Sequence, residues 1–300
     1  MNKFSLYYII SNFILFSALG ASIYQYLVPI CLLGLFTVGV AHGSIDHILS
    51  EAGENSKKRV FIKRYLLLIL AVGFAWFIEP NVSVLLFLTI SSYHFGQSQF
   101  VNYTFQNLLW RRVLYLAWGV FLFSLLLLLN AEELLSSFPR LFPDIVLLPI
   151  LVKYSLLSAI CSGILWLGIF LYHQILQQTI HTFFSELYII VLIGISFYVL
   201  PIIIGFSLYF IILHSLPSMD EEFKHLFKKY SRNNFWKFFK LLAPFTTLAA
   251  ISSIAIVLFS LKMGLSDHIP FILLLLLSCV TTPHAIVMDR FFQSNKHLSI

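Results

Sequence analysis

IYQYLVPICLLGLFTVGVAHGSIDH, residues 23–47, decides how this chain is read. Residues 23–45 hold no Asp, Glu, Lys or Arg, and as a helix they are long enough to cross a hydrocarbon core of about 30 Å. The run ends on His42 and Asp46, and a basic loop, GENSKKRVFIKR at 53–64, follows. Apolar span, histidine-bearing end and basic loop together describe a helix that leaves a membrane on its cytoplasmic side.

The same pattern recurs along the chain. Of 300 residues, 59% are hydrophobic and only 11% charged, far from the composition of a soluble globular domain. An all-α, polytopic transmembrane bundle of about ten spans is expected, with helices near 4–20, 23–45, 62–79, 82–99, 112–129, 147–172, 183–200, 202–216, 241–261 and 268–289. Pro201 either separates the seventh and eighth segments or kinks one longer element. Residues 1–22 could pass for a signal peptide, but a second apolar segment follows almost at once, so a retained extra N-terminal helix is expected ahead of a 23–300 domain. Cys31, Cys161 and Cys279 are isolated within apolar runs, which fits packing rather than a disulfide framework or a CxxC metal pair.

Charge sets the orientation. With the N-terminus inside, the cytoplasmic side gathers Lys3, Lys57, Lys58, Arg59, Lys63, Arg64, Arg111, Arg112, Lys224, Lys228, Lys229, Arg232, Lys237, Lys240, Arg290 and Lys296, which is 16 of the 19 Lys and Arg. Arg140, Lys153 and Lys262 fall on the other side, together with Glu79, Glu132, Glu133, Asp144 and Asp267. A multi-pass protein of the cell membrane with both termini cytoplasmic follows. The net charge of +6 therefore reports topology and contact with the lipid bilayer, not nucleic acid. Residues 218–240, with Phe and Trp among lysines, read as an amphipathic segment lying on the cytoplasmic interface.

Four of the ten histidines then fall at one depth. His42, His94, His214 and His284 sit at the cytoplasmic ends of the second, fourth, eighth and tenth spans, all running in the same direction. Imidazole at membrane depth is costly and is usually kept for a metal, a proton path or a ligand. Neutral imidazole suits iron, copper or zinc, and no cluster of thiols or carboxylates accompanies the four. Any one of them alone would read as a helix-end histidine bonded in the headgroup zone. Asp46, one turn beyond His42, is a candidate to accept its ring N–H. His47 lies about 140° around the helix from His42 and points elsewhere. His173, His181, His225, His268 and His297 read as interfacial or solvated.

At HGSIDH (42–47), HFG (94–96), HS (214–215) and PHAIVMD (283–289) the chain resembles the Brp/Blh family of membrane β-carotene 15,15'-dioxygenases, which supply retinal to microbial rhodopsins. Order, spacing and hydropathy agree from about residue 23 onward. The resemblance implies Fe(2+) as cofactor, β-carotene or a related carotenoid and O2 as substrates, and hand-over of retinal to a rhodopsin. It implies His42, His94 and His214 as catalytic iron ligands, with a fourth histidine one turn beyond the third. Here that position is Ser218, and Pro217 before it is expected to break the turn. His284 is the natural substitute, with water or one of Asp220, Glu221 and Glu222 as alternatives. Gln99 stands where relatives often carry an acid.

Two other classes compete. A di-iron desaturase or hydroxylase needs HxxxH boxes, and the chain has none. A transporter or channel would use His and Asp as a relay across the membrane, but the histidines cluster on one side and leave the outer half with few ionisable groups. The 31 Phe and 14 Tyr could line a carotenoid tunnel or simply pack.

Overall fold

The computed structural model describes residues 3–17, 21–50, 55–103, 105, 107–141, 145–227, 229–264 and 269–297. Asp144, Lys228, Asp267 and His268 lie outside them, as do the side chains of Lys57, Lys58, Arg140, Lys296 and His297. Among the described residues all regular structure is helical. Among the described residues, eight helical stretches are long and apolar enough to cross a membrane. The other two expected spans are α1 (Lys3–Ser17), with 15 residues, and α5 (Pro80–Gln99), whose last turns, SSYHFGQSQ, are polar. The chain is an all-α polytopic membrane bundle.

Its centre is α5 against α6 (Leu108–Leu129), with α9 (Ser155–Leu176) on the far side of α6. Two glycines allow the α5–α6 approach. A Cβ on Gly96 would overlap the Tyr115 carbonyl, and one on Gly119 would overlap that of Ser92. Backbones this close gain dispersion and helix–helix contacts, the main source of association where lipid is as apolar as the side chains. Trp118, Trp166, Phe100 and Phe170 fill the fully buried core beside this crossing.

α14 (Ile269–His297) packs on α5 and on α4 (Asn55–Ile78), to which Trp76 Nε1 ties it by donating to Ser278 Oγ at 2.6 Å. By contrast α4 and α13 (Arg232–Lys262) present almost all of their apolar surface outward, as Leu67, Phe77, Ile251 and Phe259 show. Among the cysteines Cys279 is buried, Cys31 intermediate, and Cys161 faces outward rather than packing.

Several boundaries differ from those expected. The 147–172 span divides at Tyr154 into α8 (Leu147–Lys153) and α9. α7 (Ala131–Leu141) forms where a loop was expected, with Glu132 and Glu133 favoured at its positive N-terminal end. Leu200 is extended and Pro201 starts a separate helix, α11 (Ile202–Leu208), so α10 (Ile180–Val199) and α11 are two elements.

Pro217 does not end the eighth span. A π segment, Tyr209–Ser215, passes into α12 (Leu216–Leu226), and Pro217 falls in the first turn of α12, where a missing N–H is tolerated. The 218–240 segment is consequently not one interfacial helix. Its first part completes α12. Its last part opens α13, whose start is capped by Ser231 Oγ accepting from Asn234 N at 3.2 Å.

α1 packs on the Tyr209–Ser215 segment and α10, with Tyr8 fully buried in the main core. Lys3 Nζ reaches Asp220 at 2.9 Å, and Asp220 also pairs with Lys224 at 3.1 Å. The start of α1 and the end of α12 therefore share one end of the bundle.

Candidate metal centre

Three of the four histidines are delivered by a helix of altered geometry or at a helix end, and the fourth by the middle of α14. α2 (Ala21–Gly34) loosens into a π segment at Leu35–Gly39 and then tightens into a 3-10 turn, His42–Ile45, before the short α3 (Asp46–Leu49). His214 lies in the second π segment. Such wide turns leave carbonyls free and recur at functional sites. Ser215 Oγ takes up one of them, donating to Gly39 O at 3.1 Å, so the two π segments are tied together beside the histidines. His94 lies in the last turns of α5, and His284 follows Pro283 inside α14.

The four rings meet. His42 and His94 lie parallel, 5° apart, with centroids separated by 6.4 Å. His214 and His284 each stand nearly perpendicular to both, at 83–87°, with centroids 4.5–5.1 Å away. One nitrogen from each of His42, His94 and His284 lies within 4.8 Å of the others. His214 sits just outside this tightest trio, yet its ring abuts both His42 and His94. Each of the four is at most 4% exposed. They surround a small cavity of about 20 Å³, closed by Phe95, Phe210, Leu277 and Val280.

Buried polar nitrogens in a folded protein nearly always have a partner. Here His42 Nδ1, both nitrogens of His94, His214 Nε2 and His284 Nε2 have none among the described residues. The opposite nitrogens of two rings are held. His284 Nδ1 lies 2.9 and 3.1 Å from the two Asp46 oxygens, and His214 Nδ1 lies 2.9 Å from Ser98 Oγ. A carboxylate on one ring nitrogen makes that nitrogen the N–H and leaves the other as a lone-pair donor. Nitrogens of His42, His94 and His284 gathered within 4.8 Å of one another, with His214 beside them and unpartnered ring nitrogens among the four, fit a transition-metal ion.

Asp46 thus serves His284, not His42 as its spacing implied. The 3-10 turn over residues 42–45 advances about 120° per residue, so a residue four positions on no longer lies above His42. Asp46 also accepts from Tyr65 OH on α4 at 2.9 Å. Ser218 stays on the His214 face, its Oγ donating to His214 O at 2.8 Å, so the turn survives Pro217 and only the imidazole is missing there. Asp220 and Glu221 are engaged by Lys3, Lys224 and Tyr230 at the bundle end. Glu222 is fully buried, and both its carboxyl oxygens lack a hydrogen-bond partner among the described residues.

Tyr65 and Ser98 were not singled out from sequence. Ser98, four residues after His94, carried a weak signal as a polar residue on the histidine face. Tyr65 carried none, because its contact depends on how α4 docks. Gln99, noted for replacing an acid, donates to Glu186 Oε2 on α10 at 2.6 Å, and Tyr103 OH donates to Oε1 at 3.0 Å.

Comparisons with known proteins point to one family. A curated relative, "Beta-carotene 15,15'-dioxygenase" from Uncultured marine bacterium 66A03, is 28% identical over 279 residues, covering 89% of this chain and 95% of that protein. No solved structure matches the chain significantly. The family model described as "BCD: Beta-carotene 15,15'-dioxygenase" matches residues 33–292, which span both π segments and all four histidines. The chain therefore belongs to the β-carotene 15,15'-dioxygenase family and is a membrane-embedded oxidoreductase.

Proposed function

We propose that His42, His94, His214 and His284 hold a ferrous ion and that the protein cleaves β-carotene with O2 at the central 15,15' double bond. One C=C bond and the O–O bond break, two C=O bonds form, and two molecules of retinal leave. The observation that carries this reading is the set of unpartnered nitrogens on four buried imidazoles, inside a region that matches the family. Iron, when bound, supplies the redox chemistry that lets dioxygen react with a closed-shell polyene.

The chain's own residues do the rest. Asp46 fixes the His284 ring and its tautomer, and Tyr65 in turn holds Asp46. Ser98 orients His214. Phe95, Phe210, Leu277 and Val280 keep the walls of the cavity apolar, which limits side reactions with water. A symmetric polyene offers no polar handle, so the shape of the walls must set which bond lies at the centre.

The test is expression in a bacterium that accumulates β-carotene. Loss of carotene colour and appearance of retinal by chromatography are expected. Intact carotene with the protein present in the membrane would sink the proposal. The cell membrane as location, both termini cytoplasmic, and delivery of retinal to a microbial rhodopsin belong to the same reading. Reporter fusions after Asn55 and after Arg232 are expected to report the cytoplasmic side together, and disagreement between them would overturn the orientation.

A further inference from the structure

We propose that the lateral cleft between α4 and α13 is where a carotenoid-class polyene passes from the bilayer to the histidine centre, and that one arm of it rests there during cleavage. This rests on the function proposed above. α4 docks on α14, whereas α13 docks on the Leu35–Gly39 and His42–Ile45 segments. The two thus flank the same central elements from different sides, and a gap remains between them. Ile62, Leu66 and Ile69 line it from α4, and Phe245, Leu248 and Ala249 from α13. The gap holds about 240 Å³, and Leu66, Phe245 and Leu248 of its lining are exposed on the outside of the bundle. That is below the usual range for a complete ligand site, about 300–1,000 Å³, and suits part of a long molecule.

Its floor is what links it to the chemistry. Val40, Gly43 and Val280 line both this cleft and the small cavity among the histidines. Gly43 forms the junction, since a Cβ there would stand 3.3 Å from His284 Nδ1 and 3.9 Å from Asp46 Oδ2. Any larger residue would narrow the connection. The polar groups along the cleft are already engaged. Tyr65 OH bonds Asp46, Asp46 bonds His284, and Ser44 Oγ lies 2.7 Å from Thr246 Oγ1. What remains for a ligand is hydrocarbon and ring surface, including Phe245 and the His47 ring 4.9 Å from it.

Three larger cavities compete less well, the first of them, about 630 Å³ with Lys3, Asp220 and Arg232 in its lining, sharing no residue with the histidine cavity. A second, of about 560 Å³, is lined by Gln99, Glu186, Asp220, Glu221 and Lys224, a poor match for a molecule without polar groups. A groove of about 1,010 Å³ between α6 and α9 is apolar, but it shares no lining residue with the histidine cavity.

The test fills the cleft from each wall. Ala249 and Ile69 line the cleft but not the histidine cavity, so Ala249→Trp and Ile69→Trp are the test, and Leu70→Trp on the lipid-facing side of α4 is the control. Two quantities are measured: β-carotene retained by iron-free protein in lipid nanodiscs, and retinal formed by iron-loaded protein of verified iron content. Ala249→Trp and Ile69→Trp are expected to lower both by about tenfold or more, with iron content and the Leu70→Trp control unchanged. An Ala249→Val, Leu, Trp series guards against misfolding of the largest variant, and the loss is expected to grow with side-chain size. Retention and turnover independent of size at both positions would overturn the cleft. Carotene retained by the unmutated protein and lost in the Trp variants, but never cleaved, would instead sink the proposed reaction and leave the cleft standing.

Discussion

Two buried polar clusters hang from α5 little more than one helical turn apart, and they are built on opposite principles. At Gln99, the Glu186 carboxylate receives Gln99 Nε2 at 2.6 Å and Tyr103 OH at 3.0 Å, so each of its oxygens is matched. At His94, both ring nitrogens are buried without a partner among the described residues, and each of the three neighbouring imidazoles that line the same small cavity leaves one further nitrogen unpartnered. A satisfied cluster holds helices together, whereas an unsatisfied one lowers stability until something binds. The difference teaches where to look for chemistry: in the cluster whose hydrogen bonds are missing, not in the one with more of them.

The sharpest way to break this contrast is to remove the imidazoles one at a time. Replacing His42, His94, His214 or His284 by Ala is expected to abolish iron retention and retinal formation, a loss well beyond the ~10–100-fold typical of residues that only support a ligand. His173→Ala is the control. His173 stacks on Phe105 at 4.1 Å, and its loss should cost no more than about 1 kcal/mol. Iron per purified protein and retinal formed decide the matter. If His284→Ala kept both, the centre would be a three-histidine site, with the fourth position left to water or to Glu222.

A smaller effect is expected one step out. Asp46→Asn keeps the shape but can present an amide N–H to His284, which removes the reason for His284 Nε2 to stay a lone-pair donor. Iron affinity should fall by about 10–100-fold, measured by competition with a chelator. Tyr65→Phe, which removes only the bond to Asp46, should fall short of that. If Asp46→Asn bound iron like the unmutated protein, the Asp46–His284 contact would be structural only.

The smallest change belongs to the satisfied cluster. Glu186→Gln replaces one acceptor by a donor facing Gln99 or Tyr103, and should cost about 1–3 kcal/mol of stability through a lost and an unmatched hydrogen bond. Thermal unfolding in detergent checks this, and iron content should not move. A Glu186→Gln variant that kept its stability but lost iron would erase the distinction between the clusters.

Much of this architecture is visible in local sequence, because lipid allows few solutions. Every backbone group must bond within its own helix, so apolar runs separated by basic loops translate almost directly into spans. The runs 112–129 and 183–200 needed nothing more to be matched to α6 and α10. His42, His94, His214 and His284 fall on even-numbered runs of that pattern, which predicts that they share one end of the bundle, since direction alternates from span to span. What lay outside local reach was helix phase and docking. The 3-10 turn at 42–45 rotated Asp46 from His42 toward His284, and the π segment at 209–215 let the helix run past Pro217 to Leu226.

Class and the succession of apolar spans were thus settled by the sequence, through the solvent the chain must live in. Only the tertiary structure decided which nitrogens face one another, that Tyr65 and Ser98 support them, and that a gap between α4 and α13 reaches Gly43. Those depend on rotations of a few tens of degrees between packed helices. Such rotations arise from side-chain contacts summed over distant segments, such as the close Gly96–Tyr115 and Gly119–Ser92 approaches, and no single stretch of sequence encodes them.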